Sequence, residues 1–174
     1  GGACDYTAAS YPKWVESAGG RAVPVPYDAS DEHVEALFRQ TNGLLWPGGG
    51  ASLSPSAKRF FDLAVDANAN HGDHYPVWGT CLGFEWLLEA TANSSTVLQK
   101  GFDAENITLP LNLTTIGAQG SRMLGSDAAL LSMLQSEPVT MNNHVAGIQP
   151  DALAAPAARP RHASRGPVGR DARR

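Results

Sequence analysis

Tyr11, Trp14, Val15 and Ala18 recur at i, i+3, i+4 and i+7, the spacing of one helix face. They predict a helix over residues 10–18. Pro12 falls in its first turn, where a missing N–H is tolerated, and Gly19-Gly20 ends it. Residues 21–25 predict a short strand. Ser30 is placed to cap a second helix running to about Gln40, with Asp31 and Glu32 near its positive end. Residues 43–46 are apolar and predict the next strand, with Pro47-Gly48-Gly49-Gly50 as its loop. Ser54-Pro55 opens a third helix, with proline at the first helical position. The apolar run 75–78 predicts a buried strand, 79–83 a sharp turn, and 84–90 a helix.

Strands alternating with helices predict an α/β fold: a doubly wound, mostly parallel sheet with helices on both faces. Sites in such sheets lie at the C-terminal ends of the strands. Both the glycine loop at 47–50 and Cys81 fall there. From 96 to 115 the pattern turns β-like, with Leu98, Ile107, Leu109, Leu111 and Leu113. Residues 128–136 then predict a helix and 139–141 a strand.

The 174 residues suit one domain with a real core, and 43% hydrophobic with 17% charged content is globular. No apolar run approaches the ~20 residues that span a membrane. Residues 1–150 are expected to form the α/β domain. Residues 151–174 are rich in Ala, Pro, Gly and Arg, have no aromatic residue, and are expected to be a disordered tail and a non-native continuation. That tail holds six arginines against two aspartates, net +4, so the rest carries −8 of the chain's total of −4. An acidic body argues against a nucleic-acid partner. Two cysteines are too few for a disulfide framework, so Cys81 is expected free. Asn93-Ser-Ser95, Asn106-Ile-Thr108 and Asn112-Leu-Thr114 are sequons, usable if the chain enters the secretory route. The chain begins Gly1-Gly2-Ala3-Cys4, without an initiator Met or a visible signal peptide, as a fragment or processed product would.

The most informative stretch is Tyr75-Pro-Val-Trp-Gly-Thr-Cys81-Leu-Gly83-Phe-Glu85. Strand, Gly-x-nucleophile-x-Gly, helix is a nucleophile elbow, here with Cys for Ser. A Cβ at Gly79 or Gly83 would crowd the turn. Cys81 would stand at a helix N-terminus, where free N–H groups and the dipole favour a thiolate. The competing reading is a buried structural Cys beside a glycine turn. A cysteine nucleophile needs an oxyanion hole and a base. Candidate donors are the Leu82 N–H and the glycine loop 48–50; an ordinary tight turn is the alternative for that loop. Among the histidines at 33, 71, 74, 144 and 162, His144 follows the predicted strand 139–141 and is the candidate base. A surface loop histidine is equally compatible with its spacing.

These residues resemble the gamma-glutamyl hydrolase family, within the class I glutamine amidotransferase-like fold. The matching strings are Tyr6-Thr-Ala-Ala-Ser-Tyr11 with Trp14-Val-Glu-Ser-Ala-Gly19, Asn42-Gly-Leu-Leu-Trp-Pro-Gly-Gly-Gly50, and Pro76-Val-Trp-Gly-Thr-Cys-Leu-Gly-Phe-Glu85. Pro110-Leu-Asn-Leu-Thr114, Ser121-Arg-Met123 and Asn143-His144 follow in family order. The resemblance spans roughly residues 3–148. It implies hydrolysis of γ-glutamyl bonds in folylpoly-γ-glutamates through a thioester at Cys81, with no cofactor and no metal. By position it implies Cys81 as nucleophile, Leu82 with Gly48 and Gly49 as oxyanion hole, and Tyr6, Glu85 and His144 in or near the pocket. A carboxylate at Glu85 would pair with a substrate α-ammonium; stabilising the helix dipole is its compatible alternative. Arg122 could meet a substrate carboxylate through its guanidinium fork, or form a surface ion pair.

The resemblance also implies a vacuolar, lysosomal or extracellular location, a small-molecule substrate, and a homodimer as one assembly open to the chain. The family's first strand has no counterpart before Tyr6. Its later Trp-His-Pro-Glu-like segment, which carries the base and its orienting acid, has none either. The chain is therefore expected to be incomplete and impaired as a hydrolase. Two further readings stay open. One is a glutamine amidotransferase subunit, which Phe84-Glu85 and Tyr6-Thr-Ala-Ala-Ser fit less well. The other is an inactive shortened isoform that binds γ-glutamyl ligands.

Overall fold

A computed structural model describes residues 5–115, 121, 123–125 and 127–149. The tail 151–174, Arg122 and Cys4 lie outside the described residues. The chain divides into two units, with the boundary after Leu98.

The first unit contains α1 (Ser10–Ser17), α2 (Asp31–Gln40), β1 (Leu44–Trp46), α3 (Pro55–Asn70), β2 (Val77–Gly79) and α4 (Leu82–Ala92), then a 3₁₀ turn at Ser95–Val97. β1 and β2 pair in parallel, Leu44 opposite Val77 and Trp46 opposite Gly79. Parallel pairing across the α3 crossover is the βαβ unit that the alternation predicted. Capping explains the helix starts. The Ser30 hydroxyl accepts the His33 N–H, and the Ser54 hydroxyl accepts the Ala57 N–H ahead of Pro55.

Side chains alternate across the sheet, so Leu44, Trp46 and Val77 share one face and Trp78 takes the other. On the first face, Val34 and Phe38 of α2 meet Phe60, Leu63, Ala64 and Ala67 of α3 around Tyr75. Phe38 stands 4.8 Å from Tyr75 and 5.9 Å edge-on from Phe60 by ring centroids. Each buried ring contributes about 1.5–3 kcal/mol from area alone. A second cluster joins Trp46 and Ala57 to Trp86 and Ala90 of α4. On the opposite face Trp78 meets Trp14 of α1 at 5.4 Å. Helices therefore lie against both faces of the strand pair.

Several sequence expectations are corrected. Residues 21–25 form no strand. Pro24 and Pro26 remove ladder donors there, and the stretch 21–24 is exposed. It leads into a loop pinned at Tyr27, whose N–H donates to Asp5 Oδ2 at 2.7 Å and whose carbonyl accepts the buried Ser56 hydroxyl at 2.6 Å. The elbow strand starts two residues late, at Val77, because Pro76 has no N–H to give. Only its approach is buried: Tyr75 is 1% exposed and Trp78 is 40% exposed. The following helix begins at Leu82 instead of residue 84, with Gly83 inside its first turn.

The second unit is Gln99–Gln149. It holds β3 (Gln99–Leu109), α5 (Ala128–Ser136) and β4 (Thr140–Gly147). β3 and β4 pair antiparallel, with irregularities between Lys100 and Ala104 and between Ala104 and Ile107. This antiparallel pair, with α5 between its strands in the chain, takes up residues 99–109 of the β pattern expected over 96–115, and β4 runs well past the predicted 139–141. The Asp127 carboxylate caps α5, accepting the Ala129 and Leu130 N–H groups at 3.0 Å. No described residue of this unit is fully buried.

Candidate functional site

The first-unit site begins with backbone geometry. Cys81 caps α4 at φ 55°, ψ −116°. A β-carbon is strained at positive φ, and non-glycine residues held there cluster at functional sites. The strain is imposed from both sides. The Thr80 N–H donates to the Trp46 carbonyl at 3.1 Å, which ends β2 against β1. The Cys81 carbonyl then accepts the Phe84 and Glu85 N–H groups at 2.9 and 3.1 Å, which starts α4 at once. No residue separates strand from helix except Thr80 and Cys81.

Close approach explains the two glycines. A Cβ on Gly79 would stand 2.3 Å from the Gly83 carbonyl oxygen, and one on Gly83 would stand 2.1 Å from the Trp46 carbonyl oxygen. The elbow closes only because both are absent. Cys81 is exposed and free of any disulfide. The reading of it as a buried structural cysteine is therefore excluded.

The glycine loop after β1 comes to the same place. Positions where Cβ atoms would stand lie 3.6 Å from Cys81 Sγ for Gly48 and 3.7 Å from Leu82 Cδ2 for Gly49. Cys81, Leu82, Gly48 and Gly49 are thus brought together. The Leu82 N–H is the first of α4 and has no helical acceptor. The Gly48 N–H, expected as an oxyanion donor, instead donates to the Tyr11 hydroxyl at 2.8 Å. Sequence reading took Tyr11 only as an apolar helix position. Its place in the string Tyr6-Thr-Ala-Ala-Ser-Tyr11 was the available signal.

Glu85 lies one turn into α4 and lines a depression of about 640 Å³ with Leu82, Glu89, Ser54, Lys58 and Asn93. Burial pushes the Glu89 carboxyl above the usual carboxylate range, and Glu85 one turn earlier pushes it the same way. A smaller depression of about 310 Å³ is lined by Ser10, Tyr11, Trp14, Trp78 and Thr80. Thr80 and Leu82 flank Cys81 in the chain, so each depression reaches one side of the elbow. Tyr6 is 86% exposed in the segment before α1. Arg122 lies outside the described residues.

His144 belongs to the second unit. It sits within β4, opposite Ala104, and not after the strand as expected. The strand continues because β3 supplies partners beyond Met141. The His144 Nδ1 accepts the Asn143 N–H at 3.3 Å. Of the remaining described histidines, His33 is exposed on α2 and His71 pairs with Asp66 at 3.1 Å. No group of three metal-ligating side chains occurs among the described residues. No helix among them is long and apolar enough to cross a membrane.

The Peptidase C26 family profile matches residues 2–100, which contain the whole elbow and its glycine loop. The chain is 48% identical over 145 residues to gamma-glutamyl hydrolase of Mus musculus, covering 80% of this chain. It is 43% identical over 145 residues to the Homo sapiens enzyme of the same name, again over 80% of this chain. It is 40% identical over 153 residues to gamma-glutamyl hydrolase B of Dictyostelium discoideum, over 84% of this chain. Each match covers 44% of the relative's own length. With an α/β frame, a cysteine elbow and a profile match over more than half its length, the chain belongs to the Peptidase C26 family.

Proposed function

We propose that this chain hydrolyses γ-glutamyl bonds of folylpoly-γ-glutamates through a thioester on Cys81. The observation that carries this reading is the positive-φ Cys81 between β2 and α4, exposed and facing the glycine loop. The relatives' names supply the bond type. Cys81 attacks the γ-carbonyl, the leaving amine departs, and water releases the acyl group. Glu85, at the rim of the larger depression, is placed to pair with a substrate α-ammonium. No cofactor enters the scheme, and the partner is a small molecule.

The base is the weakest part of this machinery, and general base catalysis is worth about 10²–10⁴-fold. His144 is the candidate in family order, and turnover is proposed to be slow. A vacuolar, lysosomal or extracellular setting is inferred with it. Asn93, Asn106 and Asn112 of the three sequons are all exposed, which supports that setting.

The test is chemical trapping. Acid quench during turnover of a folyl-γ-diglutamate should leave a folyl adduct on the peptide containing Cys81, absent in Cys81→Ala. Turnover without an adduct, unaltered in Cys81→Ala, would refute the thioester.

A further inference from the structure

One stripe of α4 leads away from the nucleophile. Leu82, Glu85, Trp86, Glu89 and Asn93 stand at i, i+3, i+4, i+7 and i+11, and all five line the larger depression. At 1.5 Å per residue the stripe is about 16 Å long, and it starts at the residue after Cys81. Loop residues 51–55 and Lys58 form the other wall. The depression is thus a trough that begins beside the thiol. Its charges do not balance. Lys58 is the cation among the residues that line it, and both Asp62 oxygens already hold the Lys58 ammonium, at 2.6 and 2.8 Å. Glu85 is partly buried and has no hydrogen-bond or ion-pair partner among the described residues.

Glu85 stands one helical turn from Cys81. In a γ-glutamyl group, four bonds separate the γ-carbonyl carbon from the α-nitrogen, about 5 Å when extended. A turn of helix rises about 5.4 Å. An acyl group joined to Sγ and laid along α4 therefore brings its α-nitrogen level with Glu85. The state of that nitrogen decides what Glu85 gains. In a folylpoly-γ-glutamate every α-nitrogen is an uncharged amide. In an unblocked γ-glutamyl compound it is an ammonium.

We propose that this site also cleaves γ-glutamyl amines and peptides whose α-amino group is free, and that Glu85 selects them by pairing with the α-ammonium; the inference rests on the thioester reading above. An amide N–H gives the carboxylate a weaker hydrogen bond than an ammonium does, because with the ammonium both partners are charged. The chemistry at the thiol is the same for both classes. The thiol proton leaves to a base as the Sγ–C bond forms. The C–N bond breaks, and the leaving nitrogen takes a proton. Water then cleaves the thioester, releases free glutamate and restores the thiol. The α-ammonium keeps its protons throughout.

The test compares L-γ-glutamyl-p-nitroanilide with its N-acetyl derivative, which keeps the scissile bond and loses the ammonium. Release of p-nitroaniline is followed in the wild type and in Glu85→Gln, which keeps the side-chain shape and loses the charge. Cys81→Ala gives the background, and circular dichroism confirms that each chain is folded. The wild type should favour the unblocked probe about 10-fold in kcat/KM, the gain of a fully charged over a half-charged hydrogen bond. That preference should vanish in Glu85→Gln. In the wild type it should decline as pH rises through the probe's own α-amino pKa. Equal kcat/KM on the two probes would overturn the proposal. So would a preference that survives in Glu85→Gln or ignores pH, which would reflect the bulk of the acetyl group. Absence of release from either probe would overturn it too, and cleavage of folyl-γ-diglutamate by the same preparation would then leave the thioester reading standing. Release that persists in Cys81→Ala would remove the thioester reading and this proposal together.

Discussion

The Asn68 side chain brackets the Tyr75 backbone: its Nδ2 donates to the Tyr75 carbonyl at 2.8 Å and its Oδ1 accepts the Tyr75 N–H at 3.0 Å. An amide near the end of α3 thus takes the place of a neighbouring strand. It fixes the chain two residues before β2 and hence fixes the elbow. Asn68→Ala removes both of these hydrogen bonds beside a residue that is 1% exposed. The expected loss is about 1–3 kcal/mol. Urea unfolding measures it; a change under 0.5 kcal/mol would mean that water replaces the clamp.

The backbone strain at Cys81 is separable from its chemistry. Alanine keeps a Cβ at φ 55°, whereas glycine removes it. Cys81→Gly should therefore be more stable than Cys81→Ala, by about 1 kcal/mol once the extra unfolded-state freedom of glycine is offset. Both should be inactive. Equal melting temperatures would show that the positive φ carries no strain.

Gly83→Ala puts a methyl 2.1 Å from the Trp46 carbonyl oxygen. β1 and α4 must then separate, at a cost of about 1–3 kcal/mol. The Cys81-dependent rate should drop with it, because the glycine loop after β1 forms one wall of the site. A variant of wild-type stability and wild-type rate would contradict the elbow geometry.

Glu89 sets a pH dependence whose sign follows from its raised carboxyl. The folded chain binds the proton more tightly than the unfolded chain, so this group's contribution falls as pH rises from 4.5 through the folded-state value. Glu89→Gln should stabilise the chain at pH 7 and give no gain below about pH 4. The gain at pH 7 should be a few tenths of a kcal/mol, since the site is partly solvated and the i,i+4 repulsion from Glu85 is screened. Thermal melts at the two pH values decide it. A gain at pH 4 equal to that at pH 7 would assign the effect to helix propensity.

The elbow was legible in the sequence because its determinants are local. Gly79, Cys81 and Gly83 act across five residues, and the caps Ser30 and Ser54 act within one helical turn. The pattern also gave the βαβ crossover, whose α3 carries a clear apolar face. Arg21 to Val25 misled because an apolar run says nothing about whether a partner strand stands beside it. His144 misled in the opposite way: the length of β4 is set by pairing with β3, some forty residues earlier. Tyr11 escaped notice because its phenol meets Gly48 across thirty-seven positions. No periodic signal reports a contact of that kind.

Glutamate release from a folyl-γ-diglutamate, by this chain and by Cys81→Ala with folding confirmed by circular dichroism, tests the central claim most directly. The account predicts slow release from the wild type and none above background from the variant. Release that survives in Cys81→Ala, or none from folded wild type, would contradict it.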